Sequence, residues 1–107
     1  MKNIKIIFIL VFSGTANAAV IHDQKSVSTV QASTNTDCIY FQLEGVSQAD
    51  PVVPNEPWFT VSAANPAKDS ILSLALAAYA SGSTVRVSTS GNTACGLSEI
   101  KYIRLVK

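Results

Sequence analysis

The sequence predicts a mainly β protein with one helix, in which the elements follow the order strand, strand, strand, helix, strand, strand. Three observations support this fold class. Several short segments alternate apolar and polar residues and are separated by turn residues, which is typical of half-buried strands. A single segment, without charge after its first turn, has helix signals at both ends, and two cysteines stand at distant positions in the chain. This order suits a small antiparallel barrel of the OB type better than a parallel α/β sheet.

The first residues have the composition of a secretory signal peptide. Lys2 and Lys5 precede an apolar run over residues 6–12, and Ala16-Asn17-Ala18 places small residues at positions −3 and −1 relative to a cleavage site. This pattern predicts cleavage after Ala18 and a secreted or periplasmic protein. A retained N-terminal anchor is the alternative, although the run is shorter than the roughly 20 residues that span a bilayer.

The remaining chain, residues 19–107, is short enough to form one domain. Removing Lys2 and Lys5 from the eight Lys and Arg leaves six against seven Asp and Glu, a formal charge of −1. The basic residues form no cluster. We therefore expect neither nucleic acid nor anionic lipid as a partner, and no membrane insertion.

The two cysteines, Cys38 and Cys95, are expected to form one intramolecular disulfide in an exported chain. A crosslink that closes so long a loop stabilises a small domain by about 4 kcal/mol in the chain-entropy model. A catalytic thiol or an intermolecular disulfide remains the alternative. A catalytic thiol would need a base, and the only histidine is His22, close to the predicted mature N-terminus.

Three strands are predicted before the helix. The first has only a weak signal, over residues 26–33. The second is the clearest strand of the chain, because IYFQLE over residues 39–44 alternates strictly between apolar and polar side chains. Gly45 and a proline-rich loop follow it, and the alternation resumes over residues 58–62.

The helix is bounded by two sequence signals. Asn65-Pro66 predicts its start, since Asn is a good N-cap and Pro at the first position leaves no N–H unpaired. Ser81-Gly82 predicts its end, since Gly readily takes the left-handed conformation. A strand is then predicted over residues 84–88, a turn at 90–92, and a last strand over 97–106. The apolar residues of the last strand change parity, which predicts either a bulge or a strand with two covered faces.

No charged side chain occurs between Asp69 and Arg86, which is unusual for a surface helix. At 100° per residue, Ile71, Leu72, Leu76 and Tyr79 gather on one face, which we expect to cover the barrel. A second face carries small neutral side chains, namely Ser70, Ser73, Ala77, Ala80 and Ser81. This face is either plain solvated surface or an interface between copies of the chain.

Three side chains are predicted to point outward and are candidate ligand-binding residues: Tyr40, Trp58 and Arg86. An exposed indole can stack on a sugar ring, and an exposed guanidinium can bind a carboxylate. Each has a structural alternative. Trp58 could cap one end of the core, and Arg86 could lie in solvent or form an ion pair between subunits. Tyr40 could likewise have a structural role instead of binding a ligand.

Catalytic chemistry is not indicated. His22 and two paired cysteines are too few for a zinc site, and the glycines lie outside any phosphate-binding pattern. We therefore expect no catalytic residues, no metal and no cofactor. A small hydrolase or an inhibitor remains a minor hypothesis.

The stretch YFQLEG over residues 40–45, the later Trp58-Phe59, and SILSLALAAYASGSTVRV over residues 70–87 carry a family resemblance. Across residues 38–106 the chain resembles the B subunits of bacterial AB5 toxins of the pertussis and subtilase cytotoxin type. The resemblance implies an OB barrel, a pentameric ring whose helices line a central channel, glycan binding on the outer surface and a toxin A subunit as partner.

The chain also departs from that family. It is shorter and has one expected disulfide where several relatives have more, and Gln42 stands where a relative carries Cys. The sialic-acid-binding serine of the subtilase type lies on the first strand, and the alignment does not decide whether Ser26 or Ser28 corresponds to it.

Two functional hypotheses follow. In the first, the protein is a secreted, non-enzymatic binding subunit that forms a ring and binds host-surface glycans. In the second, it is a monomeric periplasmic or secreted OB-like domain that interacts with a protein partner.

Overall fold

The computed structural model describes residues 19–106, in which five strands and one helix follow one another in the predicted order. The predicted signal peptide, residues 1–18, lies outside the described residues. The elements are β1 (Ile21–Ala32), β2 (Ile39–Leu43), β3 (Phe59–Val61), α1 (Lys68–Ser81), β4 (Thr84–Ala94) and β5 (Leu97–Val106).

The strands form a closed ring in the order β1-β2-β3-β5-β4, and β4 pairs with β1 to complete it. Four of the pairings are antiparallel, whereas β3 and β5 run parallel. The expectation of a wholly antiparallel arrangement is therefore wrong for this pair. Strand direction cannot alternate all the way around a ring with an odd number of strands, so a five-stranded ring needs at least one parallel contact.

The strand β1 is twelve residues long and takes part in two pairings. Its first half pairs with β4 and its second half with β2, and the register shifts between His22 and Lys25 and again between Val27 and Thr29. Gln24, inside the first shift, has a φ of 53°. These irregularities interrupt the apolar alternation, which explains why the sequence signal for this strand is weak.

The β4–β5 hairpin differs from the prediction at one end. β4 continues to Ala94, past the turn predicted at residues 90–92, and the hairpin turns instead at Cys95-Gly96. Thr89 of β4 pairs with Ile100 of β5, and Ser88 of β4 pairs with Tyr102, so one residue of β5 is left over between them. Of the two predicted explanations for the change of parity, the bulge is thus confirmed.

The predicted disulfide is confirmed, because Cys38 and Cys95 are bonded. Cys38 immediately precedes β2, and Cys95 is the first residue of the β4–β5 turn. The bond therefore ties the start of β2 to the far end of the hairpin.

The core lies inside the ring and is closed at one side by α1. Phe41 and Phe59 stack at its centre, with ring centroids 5.1 Å apart, and both are fully buried. The other buried apolar side chains come from all five strands, from α1 and from the loop after β2: Val27, Ile39, Leu43, Ala49, Val61, Ile71, Ala75, Ala78, Val85, Val87, Ile100 and Ile103.

The helix begins later than predicted. The Asn65 side chain accepts a hydrogen bond from the Ala67 N–H at 2.8 Å, and the Asn65 carbonyl accepts one from Lys68. Asn65 therefore stabilises a turn in front of α1 and is not its N-cap. The predicted end is confirmed, since Gly82 has a φ of 73° and donates to the Ala78 carbonyl.

The predicted core-facing side of α1 is wrong in part. Ile71, Ala75 and Ala78 are buried, whereas Leu76 is 45% exposed and Tyr79 is 56% exposed. The helix is turned so that Ala75 and Ala78 face the ring, and small side chains let a helix backbone approach a sheet closely. A prediction based on side-chain size alone therefore assigns Leu76 and Tyr79 to the core, although they are exposed.

Among residues 19–106, no helix has the length and apolar character needed to cross a membrane.

Candidate functional site

Tyr40 and Trp58, two of the predicted ligand-binding residues, are in contact. Tyr40 lies on β2, and Trp58 immediately precedes β3, which is held in register by the Phe41–Phe59 pair. Their rings meet edge to face, with centroids 6.3 Å apart. Both side chains are half-buried, and the Tyr40 hydroxyl is hydrogen-bonded to the Thr36 hydroxyl at 2.9 Å. The pair is therefore a fixed aromatic surface with part of each ring open to solvent.

An open groove of about 570 Å³ is lined in part by residues close in the chain to this aromatic pair. Gln42, on the same side of β2 as Tyr40, and Pro57, next to Trp58, connect the two features. The groove is lined by side chains of β1, of β2 and of the loop that follows it: Ser28, Gln42, Leu43, Glu44, Gly45, Val46, Ser47 and Pro57. Hydroxyl, amide and carboxylate groups thus lie beside a small apolar wall.

The backbone around the groove is well fixed. The Glu44 N–H donates to the Ser26 carbonyl at 2.8 Å, which joins the end of β2 to β1 beside a lining residue of the groove. Farther along the loop, the Ala49 N–H donates to the Glu56 carbonyl at 2.9 Å. The His22 Nε2 donates to the Ala49 carbonyl at 2.8 Å, so β1 holds this loop in place. Gly45 turns the chain at the end of β2 with a φ of 78°.

Arg86, the third predicted ligand-binding residue, lies on a different part of the surface. Its Nε and Nη2 donate to the two carboxylate oxygens of Asp23 at 3.1 and 3.0 Å, in a bidentate pair between β4 and β1. The hydrogen bond from Arg86 holds the pKa of Asp23 below its usual range, and the same contact raises the pKa of Arg86. The predicted set is therefore divided: Tyr40 and Trp58 lie together, and Arg86 is bound to Asp23.

The small neutral face of α1 is open to solvent in the single chain. Ser70, Ser73, Ala77, Ala80 and Ser81 are all exposed. Leu76 and Tyr79 border this face and are exposed as well. The charged residues of α1, Lys68 and Asp69, both lie in its first turn. We call these seven residues, 70, 73, 76, 77 and 79–81, the exposed helix face.

The sequence does not mark Glu44, Ser47 and Pro57 as site residues. The alternation of β2 places Gln42 and Glu44 on its outer side, and Gly45 marks the turn behind them. Only the family resemblance points to Ser26 or Ser28, and of these two the groove is lined by Ser28.

Within residues 19–106, no cluster of three or more His, Cys, Asp or Glu is arranged to hold a metal ion. The His22 ring packs edge to face against Phe59, with centroids 5.3 Å apart. The groove and the aromatic pair offer hydrogen bonds and ring stacking to a polar ligand. Comparison with protein-family models and with curated proteins finds no match.

Proposed function

We propose that this protein is a secreted, non-enzymatic binding subunit of the OB type, which binds a glycan in the groove beside Tyr40 and Trp58. The observation that carries the proposal is a groove lined by Ser28, Gln42 and Glu44, whose lining also includes Pro57, the residue before Trp58 of the aromatic pair. The ring of five strands with one helix between β3 and β4 supports the OB assignment.

The chemistry of the groove suits a sugar. Sugar hydroxyls both donate and accept hydrogen bonds, and the groove presents a hydroxyl, an amide and a carboxylate that do the same. The apolar face of a pyranose ring packs against aromatic rings, and Tyr40 and Trp58 present such rings close in the chain to Gln42 and Pro57 of the groove lining. In OB folds, the face of the second and third strands is a common ligand-binding surface, and these two residues lie on or beside β2 and β3.

The exposed helix face supports assembly into a ring. Leu76 and Tyr79 expose apolar side chains, and the small neighbours Ala77 and Ala80 would let a second helix approach closely. Depletion of charge and enrichment of aromatic residues are typical of interface centres. We propose a homo-oligomer, of five copies as in the AB5 toxins, that presents its grooves on the outer surface and pairs with an A subunit.

A second candidate function rests on the same exposed helix face. Leu76 and Tyr79 would equally suit a single protein partner bound to a monomeric domain. In that case the small residues around them would contact the partner. The number of chains in the isolated protein separates the two proposals.

A glycan array probed with the exported protein tests the binding proposal. We expect a restricted set of glycans to bind, and a Gln42→Ala variant to lose most of that signal. Asn92→Ala is the matched control, since Asn92 is an exposed polar residue on β4. An array without signal, or equal signal from both variants, would exclude the groove as a glycan site.

A further inference from the structure

Asp50, in the loop after β2, is a buried carboxylate without an ion-pair partner among residues 19–106. Asp50 is 3% exposed, and the one ion pair found among residues 19–106 joins Arg86 to Asp23. The carboxylate accepts a hydrogen bond from the Val52 N–H at 2.8 Å and one from the Thr89 hydroxyl. Buried carboxylates are ordinarily paired with a cation, because two neutral donors replace only part of the lost hydration.

The start of the described chain is attached to the same cluster. The Val20 N–H donates to the Thr89 hydroxyl oxygen at 2.9 Å, and the Thr89 N–H donates to the Val20 carbonyl at 2.9 Å. Thr89 is thus bonded on one side to Val20 and on the other to Asp50.

These bonds limit the distance between Ala19 and the carboxylate. The two successive hydrogen bonds through Thr89 place the Val20 nitrogen no more than about 5.4 Å from an Asp50 oxygen. Covalent geometry places the Ala19 nitrogen about 3 to 3.7 Å from the Val20 nitrogen, depending on one backbone torsion. Rotation about that torsion can therefore bring the nitrogen of Ala19 toward Asp50.

We propose that Asp50 and Thr89 form a binding site for a primary ammonium group, and that its ligand is the chain's own N-terminus after signal-peptide removal. Hydrolysis of the Ala18–Ala19 amide by water, on a signal peptidase, leaves a carboxylate on Ala18 and an ammonium group on Ala19. The precursor has no such charge at residue 19. This proposal rests on the predicted cleavage site and is independent of glycan binding.

Processing would then complete the fold. The new ion pair joins the start of the chain to the loop that contains Asp50, and the same loop forms one wall of the groove through Ser47 and Pro57. Before cleavage, the loop has the His22–Ala49 hydrogen bond and the Thr89–Asp50 hydrogen bond but lacks the ion pair. The exported form is therefore the more stable form.

The test compares N-terminal forms of the full mature chain. Intact mass of the exported protein first establishes that it begins at Ala19. The unfolding equilibrium constant is then measured in urea for that protein, for the same chain acetylated at its α-amino group, and for a chain extended by Gly-Ser. Acetylation removes the charge, and the extension moves it away. We expect both changes to raise the unfolding constant about tenfold, between the effects of exposed and buried ion pairs.

Two variants show whether Asp50 is the partner. In Asp50→Asn, acetylation should change the unfolding constant less than twofold. In His22→Gln, which removes the imidazole bonded to the neighbouring Ala49 carbonyl, the tenfold effect should persist. If Asp50→Asn does not fold, the acylation rate of the α-amino group is compared in native and urea-unfolded wild-type protein, and slowing of about tenfold in the native state is expected. A different first residue, unchanged stability on acetylation, an equal effect in Asp50→Asn, or unslowed acylation would overturn the proposal.

Discussion

The ring of Tyr40 meets the indole of Trp58 edge to face, with centroids 6.3 Å apart, and Gln42 and Pro57, close to them in the chain, line the groove. The two residues are 18 positions apart in the chain, and the pairing of β2 with β3 brings them together. Because each ring packs against the other, neither needs to be ordered when a ligand binds. This lowers the entropic cost of recognition.

On the proposal of glycan binding, Trp58→Ala should weaken that binding about fivefold or more, if stacking on a sugar contributes at least the roughly 1 kcal/mol of stacking on a nucleobase. Tyr40→Phe is the matched control, because it keeps the ring against Trp58 and removes only the hydrogen bond to Thr36. Calorimetric titration with the best array ligand measures both. Equal losses in the two variants, or none in Trp58→Ala, would mean that the aromatic pair is structural.

Ile71→Ala should lower the free energy of unfolding by about 2 to 5 kcal/mol, because Ile71 is buried against the ring. Leu76→Ala is the comparison, and as a monomer it should lose less than about 1 kcal/mol, because Leu76 is 45% exposed. Urea denaturation at low protein concentration measures both. The reverse order of losses would restore the helix orientation that side-chain size alone predicts.

The strands that the sequence predicts best are those whose alternation is uninterrupted. β2 starts at the predicted residue and ends one residue early, and β5 has the predicted bounds. β1 carries two register shifts, and each shift breaks the alternation that would identify it. The orientation of α1 could not be predicted from size, because Ala75 and Ala78 are buried by close backbone approach.

The candidate site shows the same limit. Outward positions such as Tyr40 follow from alternation along one strand. The partner of Arg86 does not, because Asp23 lies 63 positions away and comes near only through the β1–β4 pairing. The groove needs β1, β2 and the following loop in place, so its full lining is a tertiary feature that no single segment predicts.

Loss of the disulfide should lower the free energy of unfolding by about 4 kcal/mol, since it closes a long loop in the unfolded chain. Cys95 has a φ of 54°, a conformation that Asn tolerates better than most residues. Cys38→Ala with Cys95→Asn therefore removes the bond while keeping the turn favourable. If this double variant lost well under about 2 kcal/mol in urea, the disulfide would not be a main source of stability.

The Asp23–Arg86 ion pair should make stability depend on acidic pH. The pKa of Asp23 is lower in the folded protein than in the unfolded chain, because of its hydrogen bond with Arg86. Its contribution is therefore present above the unfolded pKa and is lost as pH falls through the folded pKa. Unfolding in urea from neutral to acidic pH should show that wild type has a higher free energy of unfolding than Asp23→Asn, and that this difference disappears in acid. When Arg86 is also replaced by Gln, Asp23→Asn should make no such difference at any pH. A difference that grew in acid would contradict the assignment.

Ala77→Glu should disrupt a ring without unfolding the chain. Ala77 is exposed in the single chain, so the substitution should change the free energy of unfolding of a monomer by less than about 0.5 kcal/mol. Repeated around a closed ring, the same charge would be brought close to its copies. Asn92→Glu, on β4, is the matched control. A folded Ala77→Glu protein that assembles like wild type would remove the exposed helix face from the interface.

The solution mass of residues 19–107 decides whether the chain forms a ring. It is measured by light scattering behind a sizing column at two protein concentrations about tenfold apart. We expect a mass near five chains at both concentrations and a mass near one chain for Ala77→Glu. A wild-type protein that stays at the mass of one chain would contradict the ring, and it would favour a monomeric domain whose exposed helix face binds a different protein.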